Sequence, residues 1–401
     1  MTTRRDSLQL LGTAASALLA PAAFAAAAQS KEAQNKQAPN KNAPPYSEPL
    51  KDIAVRKGLR FGNAIGIRND KSGRTHFNDP RQRALMAREC GVLVAENEMK
   101  WQATQPRPGA HDFAAADRLV AWAKENRMLV RGHTLVWQEA KWLPDWVNQH
   151  DFGTQPAREA ERLMTEHIAA VCGHFGRDIY SYDVVNEAVD PPTGTLRRNV
   201  LNGKLGAVEQ IDVAFRLARQ HAPHAQLVYN DFMGPAADNA RHRDGVLRLL
   251  EALQKAGTPI GALGLQSHIG SWGATAAASA RRKGLDDWRR FLDEVTAMDL
   301  DLLITEFDVS DRTLPADITT RDATVAAVAR DFLDLTLSYP RCRDFLTWGL
   351  SDDVSWLQTW AEAKRPDGLP SRPCPYDAQL RPKPLRDAIA AALRGMPQRT
   401  A

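Results

Sequence analysis

The sequence predicts an α/β protein built as one (β/α)8 barrel of the TIM type, a single catalytic domain over residues 51–396. Three observations predict it. Eight short runs of apolar, β-forming residues recur after residue 51. Longer stretches between them carry apolar residues at spacings of three and four, the period of a half-buried helix. Strands alternating with helices must pair in parallel through crossovers, and eight such units over roughly 340 residues suit a closed barrel. A doubly wound sheet is the structural rival, but no G-x-G-x-x-G follows the first run.

Residues 1–28 read as an export signal. Arg4-Arg5 supplies a positive start, and "LQLLGTAASALLAPAAFA" is apolar and ends in small residues, with A-x-A at 23–25 and 26–28. "TRRDSLQLLG" has the look of a twin-arginine signal; a general secretory signal with an incidental Arg pair is the alternative. Either one exports the chain to the periplasm or beyond the cell. Residues 29–50, rich in Pro, Asn, Gln and Lys, hold no large apolar residue before Tyr46 and read as a flexible linker. No later stretch reads as a membrane span.

The runs then follow in order: "LRFGNAIGI" (59–67), "GVLVAE" (91–96), "MLVRGHTLV" (128–136), "IYSYDVVN" (179–186), "AQLVYN" (225–230), "IGALGLQ" (260–266), "LDLLITEF" (300–307) and "DFLTWGL" (344–350). Helices are predicted over 113–127, 157–176, 207–222, 243–257 and 285–299. A barrel places function at the C-terminal ends of its strands. Those ends are unusually polar and aromatic. The second run ends in Glu96-Asn97-Glu98-Met99-Lys100-Trp101. The third carries His133 and leads to Trp137-Gln138. The fourth ends in Asn186-Glu187, the fifth in Asn230-Asp231, the sixth in Gln266-Ser267-His268. The seventh ends in Glu306-Phe307-Asp308, and the eighth leads through Trp348 to Trp356.

Composition narrows the chemistry. The net charge is only +4, from 52 basic and 48 acidic residues, which argues against nucleic acid or a membrane as partner. Ten Trp against six Tyr give flat apolar faces that suit sugar rings or core packing. No H-E-x-x-H, G-x-S-x-G or P-loop is present, and the histidines lack zinc-ligand spacing, so neither a metal nor a cofactor is expected. Cys90, Cys172, Cys342 and Cys374 form no C-x-x-C pair; bridges in three possible pairings or buried free thiols both remain open.

Two glutamates stand out. On the fourth and seventh strands of a barrel, Glu187 and Glu306 face each other across its mouth. Glycoside hydrolysis needs such a pair: one carboxyl protonated to assist the leaving oxygen, the other ionised. Taken alone, Glu187 also suits the first turn of a helix, where the dipole favours an acid.

The segments "ENEMKW", "RGHTLVW", "YDVVNEA", "LQSH", "ITEFDVS" and "WGLSDDVSW" together resemble, in order, the motifs of the glycoside hydrolase family 10 endo-β-1,4-xylanases. The likeness covers about residues 52–394, including a terminal "RPKPLRDAIAAAL". It implies Glu187 as general acid/base and Glu306 as nucleophile. Asn186 would bind the sugar 2-hydroxyl, His268 would hold Glu306 ionised, and Gln266 would orient the acid/base side. Lys100 and His133 would bind sugar hydroxyls on the non-reducing side, with Glu96 and Asn97 one sugar further out. Trp137, Trp348 and Trp356 would pack around the rings. It further implies retention, with the carboxyls roughly 5–5.5 Å apart, xylan and xylo-oligosaccharides as the partners, and action as a monomer.

The chain departs from the pattern at Tyr182, where the family usually has Trp, and at Gln138, commonly His. It departs again in "YNDFMG" and in the Pro-, Arg- and Lys-rich stretch after Trp356. Trp122, Trp142, Trp146, Trp288 and Trp360 read as packing or surface. His150, His167, His174, His221, His224 and His242 read as solvated or structural. Asp190, Asp308 and Asp352 suit either tuning of the site or caps and turns. Glu98 should point away from Glu96. Another barrel glycosidase, acting on β-glucan or mannan, and a carbohydrate-binding protein on a retired scaffold are the alternative functions.

Overall fold

The computed structural model describes residues 48–67, 76–270 and 278–399. The expected export signal, and the linker up to residue 47, lie outside the described residues. Nine strands are seen there: β1 (Arg60–Ile65), β2 (Val92–Ala95), β3 (Leu129–Trp137), β4 (Ile179–Asn186), β5 (Gln226–Asp231), β6 (Ala262–Leu265), β7 (His268–Gly270), β8 (Asp301–Ser310) and β9 (Cys342–Thr347). All pair in parallel, in the order β6-β5-β4-β3-β2-β1-β9-β8, and β6 pairs back to β8. That last pairing closes eight strands into the predicted barrel. The short β7 only extends the rim, pairing His268 with Asp308. The seventh run of the sequence is therefore β8, and the eighth is β9.

Helix α1 (Leu50–Arg56) precedes the barrel, and one long helix follows each barrel strand: α2 (Pro80–Glu89), α3 (Ala114–Glu125), α4 (Pro156–Phe175), α5 (Ala207–His221), α6 (Ala240–Lys255), α7 (Ala278–Ala297), α8 (Ile318–Thr336) and α9 (Pro384–Gly395). In α4 the buried residues Ala160, Leu163, Met164, Ile168, Val171, Cys172 and Phe175 form the stripe that the sequence period implied. Helices α1, α2, α8 and α9 were not among those expected from periodicity, and of these α2 and α8 start on side-chain caps. Helix α2 has little apolar content and starts on capping chemistry instead: Asp79 accepts from the Arg81 amide at 2.8 Å, with Pro80 in the first turn. Helix α8 is capped likewise by Asp317 on the Thr320 amide, 2.8 Å.

The main core lies between strands and helices, where Trp288, Phe215, Phe332 and Phe345 are fully buried. Tyr182 belongs to it and packs against β3 where only glycine fits: a Cβ on Gly132 would lie 2.3 Å from its ring. The barrel interior is different. Small apolar clusters, Ala64-Val92-Val94-Leu346-Trp348 and Val228-Ala262-Leu303, share it with a polar column. In that column Arg131 meets Asp183 at 2.5 Å, and Asp183 meets His133 at 2.9 Å. Below, Arg60 and Tyr180 both bind Asp344, Tyr180 at 2.7 Å. All four cysteines are free and buried, so the bridged alternative is not seen; burial raises every thiol, Cys172 and Cys342 to about 12. Among the described residues no helix is long and apolar enough to cross a membrane.

Candidate active site

The strand ends that carry Asn186, Glu187 and Glu306 are irregular in the same way. Register shifts fall between His133 and Val136, Asp183 and Val185, and Ile304 and Phe307. Such bulges re-aim side chains at barrel rims. Glu187 goes further: its φ is +56°, a left-handed conformation that costs a non-glycine residue energy. Strand β5 holds it there. The Glu187 amide donates to the Asn230 carbonyl at 2.9 Å, and the Ala188 amide donates to Tyr229 Oη at 3.1 Å. Tyr229 in turn donates to Asp231, whose other oxygen faces His242 Nε2 at 3.0 Å.

The Glu187 carboxyl accepts from Gln266 Nε2 at 2.9 Å, from Trp137 Nε1 at 3.0 Å and from Asn186 Nδ2 at 3.2 Å. Burial nonetheless raises its proton affinity, and the charges of Asp231 and Glu306 raise it further against the Gln266 and Trp137 bonds. Glu306, the more buried of the two, goes the other way. Burial opposes its charge, but His133, 3.9 Å away, and His268 Nε2, at 3.1 Å, outweigh it, and Asn230 Nδ2 donates at 2.8 Å. Its carboxyl is lowered to about 2. His268 is raised to about 10: burial works against the imidazolium, but Asp308 Oδ2 at 3.0 Å and Glu306 prevail. Two amides in series link the carboxyls: Asn230 Nδ2 also reaches Asn186 Oδ1 at 2.9 Å, and Asn186 Nδ2 is the group on Glu187. Gln266 Nε2 touches the same Asn186 oxygen at 3.2 Å.

A cleft of about 480 Å³ opens above the pair, and every site residue named from the sequence lines it: Glu96, Asn97, Lys100, His133, Trp137, Asn186, Glu187, Gln266, His268, Glu306, Trp348 and Trp356. Lys100 donates to Asn97 at 2.8 Å; burial lowers its proton affinity against the pull of Glu96, Glu306 and Glu187. Glu98 points away from the cleft, accepting from the Ile67 amide at 2.8 Å.

Two residues are more committed than expected. Trp137 has the Lys100 ammonium 4.8 Å over its ring, Trp142 stacked at 4.8 Å, and its N–H on Glu187. His133 has Nδ1 on Asp183. Trp142 and Trp360, expected as packing or surface, line the cleft together with Glu139, Lys141 and Phe232. Trp288 is core, as expected. Sequence reasoning noted Asn230 at a strand end without giving it a role, and left Asp308 open. Asp308 binds both His268 and Trp356 Nε1, the latter at 2.8 Å. Gln138 is buried in an uncharged network with Asn199, 2.5 Å, and Gln210, tying the end of β3 to the loop after Glu187 and to α5. Among the described residues no group of His, Cys, Asp and Glu is placed to hold a metal.

A parallel barrel that presents two carboxyls of opposite proton affinity at its strand C-termini is built as a glycoside hydrolase. The sequence profile of glycosyl hydrolase family 10 matches residues 49–392, and the chain belongs to that family. It is 31% identical to endo-1,4-beta-xylanase 5 of Pyricularia oryzae, over 86% of this chain and 79% of that protein. With the beta-1,4-xylanase of Dictyoglomus thermophilum the identity is 32%, over 77% and 84%. Among solved structures, xylanase 10B of Thermotoga maritima superposes with a TM-score of 0.74 at 28% identity, covering 86% of this chain and 98% of that one. Xylanase 10B of Thermotoga petrophila, solved with xylobiose, gives the same score and identity over 86% and 97%.

Proposed function

We propose that the protein is an exported, retaining endo-β-1,4-xylanase working by double displacement. The observation that carries the mechanism is the opposed proton affinity of two carboxyls linked through Asn230 and Asn186. Ionised Glu306 attacks the anomeric carbon while protonated Glu187 delivers its proton to the leaving oxygen; the glycosidic bond breaks and a glycosyl ester to Glu306 forms. Glu187, now ionised, takes a proton from water, and that water attacks the same carbon and releases Glu306. Asn186 binds the sugar 2-hydroxyl, a contact that strengthens as positive charge develops on the ring. His268 and Asp308 keep Glu306 ionised before attack and make it a good leaving group afterwards. Lys100, Asn97, Glu96 and His133 bind hydroxyls on the non-reducing side, and Trp348 and Trp356 flank the ring. Xylan as substrate rests on the names of the relatives, one of which was solved with xylobiose. Export rests on residues 1–28, with 29–50 read as linker and 51–396 as the catalytic domain, although Leu50 already belongs to α1 and is buried with the fold.

The test is direct. Digestion of xylan, arabinoxylan, glucuronoxylan, cellulose and mannan, with the first product's anomer followed by NMR, should show β-xylo-oligosaccharides from the xylans. An α product rules out retention; preference for mannan or cellulose rules out the substrate. Glu306→Ala should lose hydrolysis yet bind xylo-oligosaccharides. Glu187→Ala should recover part of its turnover of an activated aryl glycoside with azide, giving the β-azide; without that product the acid/base role fails.

A further inference from the structure

Trp142 and Trp360 stand in the cleft wall with no part in that chemistry. Trp142 belongs to the loop after β3, Trp360 to the loop after β9. In the barrel, β2 and β1 lie between those strands, so the two indoles reach towards each other across that sector of the rim. Their ring centres are 6.4 Å apart. The Lys141 ammonium sits 5.4 Å from the centre of one and 5.5 Å from the other, and Glu139 holds it at 2.8 Å. Each indole is continued on its own wall. Trp142 stacks on Trp137, which binds Glu187. Trp360 meets Trp356 at 6.4 Å, and Trp356 binds Asp308 beneath His268 and Glu306. Four indoles therefore run from Trp137, on Glu187, to Trp356, on the Asp308 that backs His268 and so Glu306, over the sector that carries Glu96, Asn97 and Lys100.

We propose that these indoles form an arch that selects short, linear xylo-oligosaccharide ends over long or branched chains. The inference rests on the xylanase reading and refines its substrate. A free chain end slides beneath the arch, whereas an internal segment laid in from above must open it. A branch on the covered ring meets indole instead of water. The keystone is one tilted ring contact and two cation–π contacts, each modest, so the arch opens at a cost and is not a wall.

Trp360 is 40% exposed, so Trp360→Ala removes the keystone without touching the core. Specificity constants are measured on glucuronoxylan and on xylotetraose for wild type, Trp360→Ala and Lys141→Ala. The polymer-to-oligomer ratio should rise by roughly tenfold in the first variant, the order of a lost ring contact with its cation, and by less in the second. A ratio unmoved in both variants overturns the arch. Affinities for xylotetraose and soluble glucuronoxylan, measured calorimetrically in a Glu306→Ala background, must shift in the same sense. A wild type inactive on both substrates instead sinks the xylanase reading, and the calorimetric ratio still decides the arch.

Discussion

At Glu187 the backbone and the side chain are held by different neighbours. Strand β5 fixes the left-handed backbone, while Gln266, Trp137 and Asn186 fix the carboxyl. Its high proton affinity comes first from burial and then from Asp231 and Glu306. Asp231→Asn deletes one of those charges, so the alkaline limb of the pH dependence of kcat/KM, which reports the acid in the free enzyme, should move to lower pH. Asp308→Asn acts on the other carboxyl. With its counter-charge gone His268 gives up its proton more readily, and Glu306 loses a cation. The acidic limb should therefore climb from about 2 towards the ordinary glutamate value of 4.5, a shift read from the same profile. Stability follows with the opposite windows. The depressed Glu306 contributes above pH 4.5 and is lost as the pH falls through about 2; the raised His268 contributes below pH 6.5 and is lost as the pH rises through about 10. Melting temperatures of Asp308→Asn should show both dependences weakened.

At the scale of elements, what periodicity could read was read well. The β4 run 179–186 matches the strand residue for residue, and the predicted helix 157–176 differs from α4 by one residue at each end. Helices α2 and α8 escaped because their start signals are caps rather than apolar stripes. Asp79→Ala should therefore cost about 1 kcal/mol in a denaturant titration and leave turnover unchanged. Strand pairing also positions chemistry. Gly264 of β6 pairs with Asn230 of β5, and a Cβ there would lie 2.2 Å from Asn230 Oδ1. Gly264→Ala should displace the amide that bonds Glu306 and Asn186 and lower kcat more than it raises KM.

Across the whole molecule, the barrel interior is a polar column that leads up to the site. Arg131 is fully buried, and its removal takes the guanidinium from Asp183 and leaves it only His133. Arg131→Met should destabilise the fold by about 3–5 kcal/mol, measured by equilibrium unfolding, because an uncompensated buried charge remains. Asp183 also anchors His133, so the same variant should raise the acidic limb. The four buried thiols add nothing covalent: a disulfide reductant should leave the melting temperature unchanged, and native protein should show no fast-reacting thiol.

By itself, the sequence determined the alternation of strands and helices, and hence the barrel. It also determined which polar side chains end each strand, and so nearly the whole lining of the cleft. Those properties depend on residue type and short-range spacing. Tertiary structure alone decided that Glu187 binds its proton tightly while Glu306 releases it. The difference arises from burial and from charges on β3, β5, β7 and β8, none adjacent in the chain to the glutamate it acts on. It likewise decided that Asn230 bridges Glu306 and Asn186, that Asp308 backs His268, and that Trp142 and Trp360 meet over the cleft. An indole in a loop carries no local mark of the wall it will face; only closure of the barrel brings two distant loops within ring contact.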